Sequence, residues 1–171
     1  QEFSIDYNTS GGTLESKIQS YLEGEELTLP IPTRDNYEFK GWYLNSEYTG
    51  EKIETITKDT KGDLELYAKW AKISTISYDP RGGKLSEDAQ TSYVEGESIQ
   101  LPTPTRENDT FVGWYDNKEL SGNPITEISD DTTGDIELFA KWNSDVIAEN
   151  QANTKKKCGK KNALLVINLL S

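Results

Sequence analysis

Phe3, Ile5 and Tyr7 alternate with Ser4 and Asp6, the period-two pattern of a strand with one buried face. Asn8-Thr9-Ser10-Gly11-Gly12 then supplies turn chemistry. Leu14, Ile18, Tyr21 and Leu22 have helical spacing, yet the matching stretch further on, Gln90-Thr91-Ser92-Tyr93-Val94, reads as a strand running into Glu-Gly-Glu. Equivalent segments must share one structure, so a hairpin partner strand is predicted in both. Leu27-Thr28-Leu29 and Ile99-Gln100-Leu101 alternate briefly and run into Pro-x-Pro, which cannot lie in a central strand. Residues 37–43 and 110–115 predict a third strand. Its Gly41 and Gly113 are expected where a side chain would crowd a ring or backbone. Residues 53–60 and 125–132 have room for one helical turn. A last strand is predicted over 64–70 and 136–142, with Leu64, Leu66, Ala68 and Trp70 on one face.

This pattern occurs twice. Trp42 and Trp70, 28 residues apart, return as Trp114 and Trp142 at an offset of 72. Tyr21, Leu29, Pro30, Pro32, Arg34, Phe39, Gly41 and Tyr43 return with them; near the start of each copy the offset is 71. A tandem pair of small units follows, at 1–71 and 72–143, with 144–171 as a flexible tail. Only Ala71 and Lys72 separate the copies, so the units are expected end to end as a short semi-rigid rod.

Units this small bury only about 60% of their unfolded surface, so large aromatics carry much of the stability. Residues 1–150 hold all 30 acidic groups and 13 of the 18 basic ones, a net charge of −17; residues 151–171 carry +5. An acidic body of this kind argues against nucleic-acid binding. With no His and one Cys, histidine acid–base chemistry, His-ligated metals and an intrachain disulfide are excluded. Gln1 opens almost directly on a strand pattern, so no signal peptide is expected within the sequence.

Candidate chemistry is sparse. Asp59-x-x-Gly62-Asp63 and Asp130-Asp131-x-x-Gly134-Asp135 lack the alternating acidic spacing of a Ca²⁺ loop and read as solvated turns. Paired carboxylates for glycoside hydrolysis would need a cleft that such units do not offer. Trp42-Tyr43 and Trp114-Tyr115 should face opposite sides of their strand, Trp inward and Tyr outward, and an outward ring is a candidate glycan-stacking platform. Cys158 sits among lysines, which would raise its reactivity, but without a base it makes no catalytic site. The Lys run at 155–161 leads into the apolar run 163–170. That run is short of the ~20 residues that span a bilayer and reads as the start of a surface anchor. No catalytic, cofactor-binding or metal-binding residue is assigned, and no binding residue is singled out.

Tyr-x(n)-Gly-Gly, Leu-Pro-x-Pro-x-Arg, Phe-x-Gly-Trp-Tyr and Leu-(Tyr/Phe)-Ala-Lys-Trp, in that order and twice, resemble the Listeria–Bacteroides repeat, the B-repeat of internalin-type surface proteins. The motifs stand at 39–43 and 66–70, and again at 111–115 and 138–142, and the resemblance covers residues 3–142. It departs at Asn36-Tyr37 and Asp109-Thr110, which replace the usual Gly-Tyr, a difference that bears on one turn only. The resemblance implies two tandem β-grasp (ubiquitin-like) units, mainly β with an α+β character. It also implies a repeat region at the extracellular bacterial surface, between an anchor and a distal domain; the residues themselves lead to the expectation that it is non-enzymatic, cofactor-free and monomeric. Its expected role is spacer or stalk with adhesion to a host or neighbouring-cell surface protein or glycan. Two other readings stand beside it. One is a dedicated protein- or glycan-binding module, which would add a partner strand at an exposed sheet edge. The other is an accessory repeat of a secreted hydrolase, which an upstream catalytic domain would establish.

Overall fold

The computed structural model describes the backbone of residues 1–168 and side chains as far as residue 156. Cys158 and the apolar run 163–170 therefore lie outside the residues whose side chains are described. The chain forms two compact units. The first holds residues 1–74, 92–97 and 130–134; the second holds 75–91, 98–129 and the chain from 135 onwards.

In the first unit the alternating residues form the strands they predict: β1 (Glu2–Asn8), β2 (Ser20–Leu22), β3 (Leu27–Thr28), β4 (Tyr37–Tyr43), β5 (Thr55–Ile56) and the start of β6 (Leu64–Asp79). β1 runs antiparallel to β2, Phe3 opposite Tyr21, and parallel to β6, Ile5–Asn8 opposite Leu64–Tyr67. β4 lies antiparallel on the other side of β6, with Tyr43 opposite Tyr67 and a register shift between Phe39 and Gly41. The sheet is mixed. Ile5, Leu66 and Ala68 point inward with Tyr21, Leu29, Trp42 and Ile56, and Phe39 and Trp70 pack against them.

The second unit repeats the plan with the later part of β6, then β8 (Ile99–Gln100), β9 (Phe111–Tyr115), β10 (Glu127–Ile128) and β11 (Ile136–Trp142); β7 (Ser92–Val94) precedes them in the chain. β11 is parallel to β6 over Ile76–Asp79 and antiparallel to β9, while β10 pairs β8. The fold is mainly β.

Three expectations change. Residues 53–60 hold no helical turn: Ile56, fully buried, pairs with Leu27 in β5, and Thr57 to Thr60 close a hydrogen-bonded turn. Ala71 and Lys72 are no joint but strand residues of β6, opposite Glu38 and Tyr37. The segment from 144, expected to be flexible, is a helix, α1 (Asn143–Asn168). Its start is fixed by Asp145, which accepts from the Trp142 amide, and by Ser144, bonded to Asp109. Good helix formers follow, but with no apolar stripe, the signal that marks a helix in sequence. Among the described residues no helix is long and apolar enough to cross a membrane.

Candidate functional site

The duplicated residues turn inward. Each indole N–H donates to a backbone carbonyl: Trp42 to Pro30 at 2.9 Å and Trp70 to Thr9 at 2.9 Å, Trp114 to Pro102 at 2.7 Å and Trp142 to Pro80 at 3.1 Å. Trp42 and Trp114 thus bind the Pro-x-Pro segments that have no strand to hold them, and Trp70 and Trp142 bind the first turn. The first glycine of each Gly-Gly turn, Gly11 or Gly82, has a positive φ. Gly12 and Gly83 are needed for space instead: an added Cβ would stand 2.4 Å from Trp70 or Trp142. Gly41 and Gly113, expected to clear a ring or backbone, clear the side chains of Lys52 and Pro124.

The acidic clusters also serve the scaffold. Asp63 accepts from the Ser4 amide at 2.7 Å, which holds its carboxyl below the usual range, and Asp135 accepts from Thr75 at 2.8 Å. Beside them the Tyr21 and Tyr93 hydroxyls donate to the carbonyls of Gly62 and Gly134, both at 2.7 Å. Among the described residues no group of three or more metal-ligating side chains converges.

The outer face of the first sheet is different. Tyr43 stands directly opposite Tyr67, and Tyr48 meets Tyr43 edge-on with ring centroids 5.8 Å apart; all three are half-buried. Lys69 lies 5.4 Å from the centre of the Tyr43 ring. The Tyr67 hydroxyl donates to Glu65 at 2.6 Å, a bond that keeps the phenol protonated by raising its pKa. Asp6 and Asn8 pair with Glu65 and Tyr67, so these four share the face. A polar cavity of about 700 Å³ adjoins it, lined by Asp6, Asn8, Ser10, Lys17, Gln19 and Glu65 among others.

The second unit closes the same place. Tyr115 is outward by strand parity, as expected, yet only 5% exposed, because it joins Leu120 and Phe139 in a small second core. Arg81 and Lys118 each lie 5.7 Å from the centre of the Phe139 ring, and Arg81 donates to the Lys118 carbonyl. Lys141 covers Tyr115 and pairs with Glu149 of α1. Tyr48 and Tyr67, which the sequence reading did not single out, correspond to Leu120 and Phe139, and Ser10 to Arg81. That difference between otherwise matching copies is the signal that finds them.

The Listeria-Bacteroides repeat domain model matches residues 3–69 and 75–141. The chain belongs to this repeat family. It is 32% identical over 149 residues to a protein of Evansella cellulosilytica named as a Gly-rich membrane protein, covering 85% of this chain and 17% of the relative. A second membrane protein of that organism is 32% identical over 147 residues, 82% of this chain and 21% of the relative. Internalin H of Listeria monocytogenes is 31% identical over 114 residues, 65% of this chain and 20% of the relative. The chain thus spans about a fifth of the length of these relatives. No solved structure matches.

Proposed function

We propose that the chain is a non-catalytic repeat segment of a bacterial cell-surface protein, in which each copy is a small β-grasp unit serving as a load-bearing spacer between an anchor and a distal domain. The supporting observation is that the first and last strands of a copy lie side by side and parallel, β1 with β6 and later β6 with β11. Tension applied at the two ends of such a copy shears the whole strand pair at once instead of unzipping it bond by bond. The relatives, named as membrane proteins and as an internalin, favour a place at the cell surface.

Stretching the full chain in a single-molecule force experiment tests this. Two separate force peaks are expected, each releasing roughly 23–25 nm of contour for about 70 extended residues. Extension without a force peak would sink the spacer reading.

A further inference from the structure

We propose that the outer face of the first unit is a carbohydrate-binding site. Pyranose rings stack on Tyr43, Tyr48 and Tyr67, and sugar hydroxyls bond to Asn8, Gln19 and Glu65. The inference goes beyond the spacer role and does not depend on it, since a copy bears load through its strands whatever its outer face contacts.

The second unit is the internal control. Where side chains serve only the fold, this position is filled and covered: Leu120 and Phe139 are buried, with Arg81 and Lys118 over the Phe139 ring. In the first unit the same scaffold carries phenols, all half-buried: Lys69 lies beside Tyr43 and Tyr48 as Lys141 lies over Tyr115, but Ser10 and Ser46 replace the Arg81 and Lys118 that cover Phe139, the counterpart of Tyr67. Stability alone would favour the closed arrangement, since burying the rings gains apolar area. Tyrosine presents a flat apolar face and a polar tip. The C–H face of a pyranose and its rim of hydroxyls match both, and the amides and carboxylates beside the rings are the groups that bind hydroxyls.

Charge narrows the class. Asp6, Glu47 and Glu65 border the rings and outnumber the two cations nearby, Lys69 and Lys17, on a chain of net charge −12, so an anionic polymer is disfavoured and the saccharide is uncharged. A protein partner is disfavoured because its anchors centre on a desolvated apolar pocket, whereas here carboxylates and amides interleave with the rings.

The test uses the full chain and saturation-transfer NMR with three uncharged probes, the hexamers of β-1,4-glucose, β-1,4-N-acetylglucosamine and β-1,4-mannose. Transfer from tyrosine ring protons to at least one probe is expected. Tyr48→Leu should weaken that binding by about tenfold, the worth of one lost ring contact. The substitution is tolerated by the backbone, because Tyr48 has φ 56° and Leu120 already holds φ 53° at the matching position. Tyr115→Phe, in the closed counterpart, should leave binding unchanged, and circular dichroism spectra of both variants should match the parent. The proposal is overturned by absence of transfer to all three probes, by equal binding in Tyr48→Leu, or by binding of a protein alone at this face.

Discussion

The two copies agree inside and part company outside. Trp42 and Trp114 donate to the same proline carbonyl of their respective copies, and Tyr7 and Tyr78 meet those indoles with centroids 5.0 Å apart in both. On the outer face Tyr48 and Tyr67 stand where Leu120 and Phe139 are sealed in. Since the core is intact in both, the outer difference is not forced by folding. Matching positions in the two copies therefore report what the fold needs, and mismatched positions report what it leaves free for other use.

The largest expected effect tests how far the interior agreement goes. Trp142 is 0% exposed, while Trp70 is only partly buried. Their shared surroundings are a glycine turn and a phenylalanine, Phe39 or Phe111. The difference is the start of α1, where Asp145 holds the Trp142 amide, and Arg106 lying 5.5 Å from the Trp142 ring. Trp142→Ala should cost about 3–5 kcal/mol in denaturant unfolding, and Trp70→Ala less. Equal losses would mean that α1 adds nothing to the hold on Trp142.

Filling space should cost less than emptying it. Gly12→Ala and Gly83→Ala each drive a methyl group against an indole, with the carbonyl oxygen of Thr33 at 3.0 Å or of Pro80 at 3.1 Å from the new Cβ barring retreat. A loss of about 1–3 kcal/mol is expected in each, larger at Gly83, whose Trp is fully enclosed. Unchanged midpoints in either variant would show that the ring slides aside freely.

Acid should act on the second copy through a residue with no matching partner in the first. Asp109 stands in the place of Tyr37 and bonds to Ser144 at the head of α1, with Thr110 and Arg106 also near; together these hold its carboxyl below the usual range. A carboxylate with a lowered folded-state pKa adds stability that is present above its unfolded value and lost as pH falls through the folded one. Helical ellipticity should therefore decline below about pH 4. Asp109→Asn should remove that pH dependence. A helix signal equally acid-sensitive in the variant would assign the loss to other carboxylates.

Much of this architecture was legible in the chain because alternation and repetition point to the same strands. β4 was placed residue for residue, and β2 was recovered because Ser92-Tyr93-Val94 is more clearly a strand than Ser20-Tyr21-Leu22. α1 was not legible, having no apolar stripe and depending on Asp109, 35 residues away, to fix its start. The burial of Tyr115 was hidden for a related reason: strand parity turns it outward, and only tertiary placement brings Arg81 and Lys118 over its neighbour. The role of Gly12 and Gly83 was half legible, since turn chemistry explains one glycine and not the second. The tyrosine face lay in the sequence as copy-to-copy differences, and became a surface only when β4 set Tyr43 opposite Tyr67.

The smallest effect concerns a cost that both copies keep. The Tyr7 and Tyr78 hydroxyls are buried, with no hydrogen-bond partner among the described residues. Burial pushes the Tyr7 pKa up to about 12 and raises that of Tyr78. A raised folded-state value adds stability that is full below the unfolded pKa of 10.0 and lost as pH climbs towards 12. Tyr7→Phe and Tyr78→Phe remove an unpaired polar atom but keep the ring against its Trp. Stability at neutral pH should then hold or rise, by under about 1 kcal/mol. Unfolding above pH 10 should also be delayed in both variants, because this site belongs to the shared interior. A loss beyond 1 kcal/mol in one variant alone would reveal a buried water serving that hydroxyl, and the agreement between the two cores would stop at Tyr7 and Tyr78.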